Sequence, residues 1–415
     1  MTNNNQHIPS GYKSSPLGII PEEWEVKRLG EVCINNGDYG LNAPATDYDE
    51  DLPTYLRITD IDDDGKFNQS DKKSVNSPLS ENYYLKDGDI VFARTGATVG
   101  KTYLYDKNDG ELVYAGFLIK FTPNKEIILP YFLKSQTNTR EYANWVSITS
   151  QRSGQPGINA AEYCSYKLAL PPLSEQKRIC DLLSLWDTAI AKQTTLIEKL
   201  TLRKRGLMQQ LLTGKKRLKG FEGEWEKYAI KSFAKEVSIR NTDNKDYVVL
   251  SCTKYDGLVP SLEYFGKQIY SNDLSTYKVV PKNYFAYATN HIEEGSIGYQ
   301  ANSNNGLISP MYTVFETDKE KVDDTYLFAV LKSHHLIYLY QAMMEGSINR
   351  RGGLRWDSFS TIKVNLPSLE EQKAISGFLQ RSDKEIEIQK QKLAALQEQK
   401  KGLMQVLLTG KRRVK

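Results

Sequence analysis

The sequence predicts an α+β protein in which two tandem domains, each a mainly antiparallel sheet with a helix packed on it, are separated by two long helices. We expect these helices to form an antiparallel coiled coil with internal pseudo-twofold symmetry. Three observations predict this fold class: an internal duplication, a heptad pattern in each copy, and short β-rich runs between the copies. A chain of 415 residues is long enough for two domains with separate cores.

The duplication is clearest in two segments that begin and end alike. "LPPLSEQKRICDLLSLWDTAI" starts at Leu170 and "LPSLEEQKAISGFLQRSDKEI" starts at Leu366, and the segments end in "GLMQQLLTGKKRLK" and "GLMQVLLTGKRRVK". The offset stays at 196 residues without a gap, and about half of the positions are identical. Two long copies are too few for a solenoid, so the duplication favours an internal dyad.

Each copy carries a heptad seam of apolar residues with a few polar members, and this pattern predicts a coiled coil. Pro171 and Pro367 precede the helices, and Gly214 and Gly410 follow them as candidate left-handed caps. Roughly forty helical residues make a rod of about 60 Å, which cannot bury its seam alone. The seam residues are Ile179, Leu183, Trp186, Ile190, Gln193, Ile197, Leu200, Leu207 and Leu211 in the first copy, and Ile375, Leu379, Ile386, Gln389, Leu393, Leu396, Leu403 and Leu407 in the second.

The sequence between the copies predicts the two α+β domains. Short β-branched and aromatic runs such as "DIVFARTG" and "NYFAYAT" predict strands, and one longer helical stretch containing "LKS" follows in each domain. The predicted parts are an N-terminal segment at 1–20, a first α+β domain at 21–168, a first shared helix at 169–220, a second α+β domain at 221–364 and a second shared helix at 365–415.

The composition excludes several classes of protein. A net charge of +4 is too small to mark nucleic-acid binding by bulk charge, so any basic surface must be local. Four scattered cysteines without a CxxC pair argue against a zinc site or a disulfide framework and favour a reducing compartment. The sequence shows no leader and no apolar stretch of eighteen residues, so we expect a cytoplasmic chain without a membrane partner.

The segment "TGATVGKT" at 95–102 resembles a phosphate-binding loop, but that pattern requires glycine where Thr95 stands. A β-hairpin is favoured, because strand-like sequence follows and the counterpart "EEGSIGYQ" at 293–300 lacks the lysine. The chain also lacks the Asn-Pro-Pro-Tyr or Asp-Pro-Pro-Tyr stretch by which amino-methyltransferases hold a target base, and it has no convincing catalytic triad. We therefore expect no catalytic residue, metal site or cofactor in this chain.

Planar, basic and amide side chains cluster in loops of both domains, and these are the side chains that recognise base edges in the major groove of DNA. The run "RRGGLR" is the strongest case, because its glycines permit close approach of the backbone. The candidates for DNA contact are Arg57, Arg94, Lys101, Gln151, Arg152 and Gln155 in the first domain, and Lys254, Asn290, His291, Arg350, Arg351 and Arg355 in the second. An ordinary solvated surface is the alternative for each residue. The tails "KKRLK" and "KRRVK" could contact phosphates, add charge at a helix C-terminus, or be solvated.

The repeated "LPPLSEQKRI" and "LPSLEEQKAI", the paired endings and the segments around Trp24 and Trp225 resemble the specificity subunit of type I DNA restriction-modification systems. The resemblance covers essentially the whole chain. It implies two target-recognition domains, each recognising one half of a bipartite double-stranded DNA target. It also implies that two methyltransferase subunits dock on the helices and methylate adenine with S-adenosylmethionine, and that restriction subunits translocate on DNA and cleave it with ATP and Mg.

Two other functions stay open. The first is a scaffold whose coiled coil recruits proteins while the β domains bind protein or sugar. The second is a nucleotide-dependent enzyme that uses the loop at 95–102, for which nucleotide binding would have to depend on Lys101. Because the two domains differ greatly in sequence, the resemblance would make the two half-sites different and the whole target asymmetric.

Gln193 and Gln389 occupy equivalent places near the middle of the two predicted helices. We predict that they meet and fix the register of the coiled coil, as buried polar residues do at some cost in stability. Replacing both with leucine should therefore loosen the register or weaken partner binding, as measured by cysteine cross-linking between the helices and by subunit pull-down. Unchanged register and binding would contradict the hypothesis, and both amides would then simply reach solvent.

Overall fold

The computed structural model describes residues 8–301, 305–345 and 353–414. The chain forms two compact units, the first made of Met1–Thr194 with Gln391–Lys415 and the second of Thr195–Lys390. The units do not follow the linear parts predicted from the sequence, because both long helices contribute to both units. Those linear boundaries stay a prediction.

The first unit is built from short strands and helices around one main core. Its strands are β1 (Tyr12–Ser15), β2 (Gly18–Pro21), β3 (Glu25–Arg28), β4 (Asp38–Tyr39), β5 (Thr46–Asp47), β6 (Thr54–Leu56), β7 (Lys73–Ser74), β8 (Ile90–Ala93), β9 (Thr102–Leu104), β10 (Leu112–Tyr114), β11 (Leu118–Phe121) and β12 (Lys167–Leu170). Its helices are α1 (Leu29–Val32), α2 (Pro130–Gln136), α3 (Arg140–Thr149) and α4 (Ala160–Cys164). Two four-stranded sheets have the orders β4-β11-β8-β9 and β10-β6-β7-β5, and β1-β2 and β12-β3 form separate pairs.

Two long helices contribute to both units. The first is α5 (Leu173–Leu212), and the strands of the second unit follow it: β13 (Glu226–Ala229), β14 (Ala234–Val237), β15 (Val248–Thr253), β16 (Gly257–Pro260), β17 (Lys278–Pro281), β18 (Phe285–Ala288), β19 (Ile297–Tyr299), β20 (Asn305–Ile308), β21 (Tyr312–Thr317) and β22 (Lys363–Leu366). Its shorter helices are α6 (Ser261–Phe265), α7 (Asp324–Leu331), α8 (His334–Glu345) and α9 (Trp356–Phe359), and the second long helix is α10 (Leu369–Leu407). The sheet order β14-β21-β18-β19 and the pair β13-β22 correspond to β4-β11-β8-β9 and β12-β3 of the first unit. The sheet β16-β15-β20-β17 differs from β10-β6-β7-β5, because its parallel pair lies in the middle of the sheet and not at the edge.

Among the strands of the described residues, each unit contains one parallel pair, and the other strand pairs are antiparallel. The pairs are β6 with β10 and β15 with β20. The prediction of a mainly antiparallel α+β fold is confirmed, but the parallel pairs were not foreseen. They arise because the chain completes strands of the other sheet before it returns, and such a long connection allows the returning strand to run in the same direction.

The hairpin prediction for the loop at 95–102 is confirmed. β8 pairs with β9 in antiparallel register, from Ile90 opposite Leu104 to Phe92 opposite Thr102. β18 and β19 form the corresponding hairpin in the second unit. All four residues of β8 and all four of β18 are buried, so each is the central strand of its sheet.

The helices α5 and α10 follow the predicted pattern closely. They contain 40 and 39 residues, and Gly214 and Gly410 after them have φ of 70° and 71°, a left-handed conformation that glycine adopts without strain. The seam residues are buried or half-buried throughout. Ile179 and Leu407 belong to the core of the first unit, and Leu211 and Ile375 belong to that of the second.

Ion pairs of the same kind join the two helices in each unit. In the first unit Arg413 binds Glu175 at 2.8 Å and Lys400 binds Asp187 at 2.5 Å. In the second unit Arg217 binds Glu371 at 2.6 Å, and Lys204 binds Asp383. The beginning of each helix therefore lies beside the end of the other, which confirms the antiparallel pairing. The tail arginines Arg217 and Arg413 form these ion pairs, and a contact of the tails with phosphates stays a prediction.

The glutamine after each buried glutamate forms hydrogen bonds that join its helix to main-chain atoms elsewhere in the same unit. The Gln176 amide donates to the carbonyl oxygens of Ile127 and Pro171, and its oxygen accepts from the Leu129 backbone N–H. Gln372 donates to the carbonyl oxygens of Lys321 and Pro367 and accepts from the Asp323 N–H in the same way. Both glutamines are about 1% exposed or less, so the repeated "EQK" has a structural cause: its Glu and Gln fill buried hydrogen-bonding positions.

Gln193 lies in the first unit and Gln389 in the second, and the hypothesis that they meet stays a prediction. Gln193 is 6% exposed, and Gln389 is half-buried. Burial of the Gln193 amide is compatible with a register-fixing function, because a buried polar group restricts the alternatives for helix pairing.

Because Glu371 is buried, we expect its carboxylate to depend on Arg217. Removing the guanidinium in Arg217→Ala should lower the free energy of unfolding by roughly 2 kcal/mol, since a buried charge would lose its partner. Adding Glu371→Gln should restore part of that loss, because a neutral amide needs no cation. Urea denaturation of the purified chain tests both expectations.

The matched control for this experiment is Lys245→Ala. Lys245 lies in the same unit and forms an exposed contact of 3.6 Å with Asp243, so its loss should change stability by less than about 0.5 kcal/mol. An Arg217 variant as stable as this control would contradict the proposed dependence.

The repeated "LKS" places a lysine at the end of a helix in each unit. Lys134 is only 8% exposed, its ammonium lies against Gly65 and it donates to Asn138 at 3.3 Å. Burial, with a smaller contribution from Lys400, lowers the pKa of Lys134 to about 8. Burial also lowers the pKa of Lys332 in the second unit.

The depressed pKa of Lys134 predicts a pH dependence of stability. Below about pH 8 the chain must bury a charged ammonium, whereas between pH 8 and about 10.5 the folded state loses its proton first and gains stability. Lys134→Met should therefore stabilise the chain at pH 7 by roughly 2 to 3 kcal/mol, and the gain should shrink as the pH approaches 10.5. Urea denaturation at several pH values measures this difference. Lys125→Met, which changes an exposed lysine, is the control, and equal pH profiles for the two variants would contradict the expectation.

Candidate nucleic-acid interface

In each unit the end of the central strand meets the loop that precedes a short helix. The Ile158 N–H donates to the Arg94 carbonyl at 2.9 Å, and the Leu354 N–H donates to the Thr289 carbonyl at 2.7 Å. The hydrogen bonds are equivalent, so Arg94 and Thr289 occupy corresponding positions. Both junctions bring together residues that the sequence places more than sixty positions apart.

We call Tyr39, Arg94, Phe117 and Gln155 the first cluster. The Arg94 guanidinium lies over the Tyr39 ring, 4.8 Å from its centroid, and the Arg94 N–H donates to the Phe117 carbonyl at 3.0 Å. The Phe117 side chain is 58% exposed. Gln155 is exposed and reaches over Gly96, where a Cβ would lie 2.9 Å from its Nε2.

We call Thr289, Asn290, His291, Met311 and Arg355 the second cluster. Thr289, Met311 and Arg355 line a cleft of about 460 Å³. Asn290 and Arg355 are exposed, and the loop carrying Arg355 passes so close to Asn290 that a Cβ on Gly353 would lie 3.0 Å from the Asn290 nitrogen. Glu236 and Asp357 also line the cleft, so its surface carries both signs of charge.

Three of the predicted DNA-contact residues bind carboxylates within their own unit. Arg57 forms two hydrogen bonds with the buried Asp60, at 2.6 and 2.9 Å. Lys101 binds Asp63 at 2.6 Å, and Arg152 binds both oxygens of Glu162 at 2.5 and 2.7 Å. These partners give the three cations a structural explanation, and their predicted contact with DNA stays a prediction.

The remaining candidates fall into two groups. Gln151 and Lys254 are exposed, and Lys254 lies over the ring of Tyr255. Arg350 and Arg351 lie outside the described residues.

His291 also belongs to a small group of potential metal ligands in the part of the chain that the structure describes. Ligand atoms of His291, Glu293 and Glu294 lie within 4.8 Å of one another. His291 Nδ1 is 3.6 Å from a Glu294 oxygen, and both side chains are 59% exposed. An exposed imidazole beside two carboxylates is ordinary surface chemistry, and the prediction that the chain holds no metal stays a prediction. No helix among the described residues is long and apolar enough to cross a membrane.

Sequence reasoning missed Tyr39, Phe117 and Met311. Phe117 and Met311 each stand directly before an inner strand, β11 and β21, and both are more than half exposed. That shared position between a turn and an apolar run was the available signal. Tyr39 gave no signal, because only the fold brings it next to Arg94.

Comparisons of the amino-acid sequence with known proteins all point to the same family. The profile of the type I restriction modification DNA specificity domain matches residues 21–202 and again 222–398. The chain is 29% identical to a protein of Methanocaldococcus jannaschii assigned as the MjaX type I restriction enzyme specificity subunit, over 97% of both chains. It is 25% identical to the MjaVIII specificity subunit of the same organism, over 95% of this chain and 94% of that one.

Solved structures share the fold over almost the full length. A chain from a study of assembly and conformational transition of the type I R-M system has a TM-score of 0.58 at 18% identity, covering 95% of this chain and 99% of its own. The HsdS subunit from Thermoanaerobacter tengcongensis has a TM-score of 0.51 at 18% identity, covering 95% and 98%. Because the family profile matches most of the chain, once in each half, the protein belongs to the type I restriction-modification DNA specificity family.

Proposed function

We propose that the chain recognises a bipartite, asymmetric target in double-stranded DNA, with one half-site bound by each unit. The observation that carries this proposal is the recurrence of an exposed cluster at the same junction of both units. Main-chain hydrogen bonds fix each junction, and the projecting side chains are of the types that bind base edges. Because Arg94 in one cluster corresponds to Thr289 in the other, the two half-sites should differ.

The proposal extends to the partners of the chain. Two methyltransferase subunits would dock on the long helices and methylate adenine at N6, using S-adenosylmethionine that they hold themselves. Restriction subunits would join the complex and cleave DNA with ATP and Mg, and the specificity chain would contribute no catalytic residue and act in the cytoplasm. Support for docking comes from Leu185, Leu202 and Ile388, which are helix residues off the seam and 50–68% exposed.

The scaffold alternative makes a different prediction for DNA. Recognition of duplex DNA involves phosphate contacts that release counterions, so binding by the assembled complex should weaken steeply as salt rises. A scaffold for protein or sugar would show no such dependence. The nucleotide-dependent alternative has lost its structural basis, because the loop at 95–102 joins two strands of a hairpin and Lys101 binds Asp63.

The decisive experiment maps N6-methyladenine at base resolution in DNA from cells that contain this chain with its cognate methyltransferase subunit. Cells that lack only this chain are the control. We expect a two-part motif with a gap that appears only with the chain, because each unit would recognise one half-site.

The methyltransferase subunit must be shown to be active with another specificity chain before a negative result is interpreted. With that activity established, absence of any chain-dependent motif would overturn the proposal. The scaffold would then be the better explanation.

A further inference from the structure

We propose that Arg94 recognises a guanine in the half-site bound by the first unit, and that Tyr39 positions its guanidinium. This inference rests on the proposed function, and it names one specificity-determining residue and the base that this residue binds. It concerns the chemistry of the first cluster alone.

The Arg94 guanidinium is available for a ligand. Arg57 and Arg152 use their guanidinium groups on carboxylates of their own unit. Across residues 8–301, 305–345 and 353–414, by contrast, no carboxylate lies within ion-pair distance of Arg94. Its contact with Tyr39 is a cation–π contact, with the guanidinium carbon 4.8 Å from the ring centroid, and it needs no N–H donor to a carboxylate.

The same guanidinium is held in place before any DNA binds. Tyr39 belongs to β4, which pairs with β11, and its hydroxyl oxygen accepts a hydrogen bond from the Ala160 N–H at 3.2 Å. The Arg94 backbone is fixed through its N–H to Phe117 and through its carbonyl to Ile158. A side chain that is already ordered loses less conformational entropy on binding, so the stack favours a specific contact over a diffuse one.

Guanine is the base whose major-groove edge suits this arrangement. Its O6 and N7 atoms are two adjacent acceptors that match the fork of N–H donors in a guanidinium. Adenine presents an acceptor beside a donor, cytosine a donor, and thymine a single acceptor beside a methyl group. The alternative ligand is a phosphate, which an arginine can also bind in a bidentate manner. Phe117, whose carbonyl accepts the Arg94 backbone N–H, carries an exposed side chain that favours a base edge, because apolar side chains contact bases in the groove and gain little from a charged phosphate.

The second unit cannot make the same contact. Thr289 stands at the corresponding position, and its hydroxyl donates to the Met311 carbonyl at 3.1 Å. A guanine contact through this position is therefore specific to the first unit. Its loss should affect one half of the motif and leave the other half unchanged.

The first experiment compares the wild-type chain with Arg94→Ala and Arg94→Lys, each assembled with the methyltransferase subunits in cells whose N6-methyladenine is mapped. Both variants should relax one guanine position in one half-site, since lysine keeps the charge but loses the planar fork. Retention of the other half-site shows that the variant chains fold and assemble. Arg140→Ala is the matched control, because Arg140 is an exposed arginine of α3 outside the first cluster, and its loss should leave the motif unchanged.

The second experiment uses duplexes in which the guanine at the relaxed position is replaced by 7-deazaguanine, which lacks the N7 acceptor. The wild-type complex should bind this duplex about tenfold more weakly than the natural one. The Arg94→Ala complex should bind the two duplexes equally. If the wild-type complex binds the 7-deazaguanine duplex more weakly and the Arg94→Ala complex binds both duplexes with equal affinity, Arg94 is the partner of N7.

Three outcomes would overturn the inference. An unchanged motif in Arg94→Ala would remove Arg94 from base recognition, and relaxation at a base other than guanine would assign it a different partner. Uniformly weaker methylation at an unchanged motif would identify a phosphate contact. If the wild-type chain gave no bipartite motif at all, the proposed function itself would fail, and that result is distinct from the other three.

Discussion

The architecture of this chain depends on a buried carboxylate at the start of each long helix. Glu175 and Glu371 are each 1% exposed, and a charge at that depth requires a cation and hydrogen bonds. Trp24 donates its indole N–H to Glu175 at 3.1 Å, and the Arg217 guanidinium lies 5.6 Å from the Trp225 ring centroid beside Glu371. The cation comes from the tail of the other copy in both cases. About forty helical residues, a length of about 60 Å, separate each glutamate from the arginine of its own copy. The arginine therefore cannot reach the glutamate of the same copy, and the cation must come from the other copy.

These ion pairs complement the apolar seam rather than replace it. Apolar residues that recur at spacings of three and four can pair in more than one register, because one leucine substitutes for another with little change in packing. Charges cannot shift in this way without leaving a buried carboxylate unpaired. Lys400 with Asp187 and Lys204 with Asp383 add a second ion pair to each unit. A shift of the helix register would therefore break two ion pairs in each unit. The seam buries apolar surface in more than one possible register, and the ion pairs select one alignment.

The parts of the structure that sequence reasoning predicted are those with a local cause. The seam of α5 and α10, the caps at Gly214 and Gly410, and the hairpin after Ile90 each follow from spacing or turn chemistry within a few residues. The parallel strand pairs and the stack of Arg94 on Tyr39 could not be predicted, because they depend on how distant segments return to one another. Arg57 and Asp60 are only three positions apart, so their ion pair has a local cause, and the predicted contact of Arg57 with DNA stays a prediction.

The contrast between the two clusters explains how one framework can serve different half-sites. Hydrogen bonds between main-chain atoms hold both junctions, with Ile158 bonded to Arg94 in one unit and Leu354 bonded to Thr289 in the other. Such bonds do not depend on which side chain projects from the position. The central strands β8 and β18 are fully buried below the junctions and therefore constrained by packing, whereas Arg94 and Thr289, which follow them, are half-buried. Substitution at the junctions can thus change which base edge is recognised without disturbing the core or the helices that join the two units.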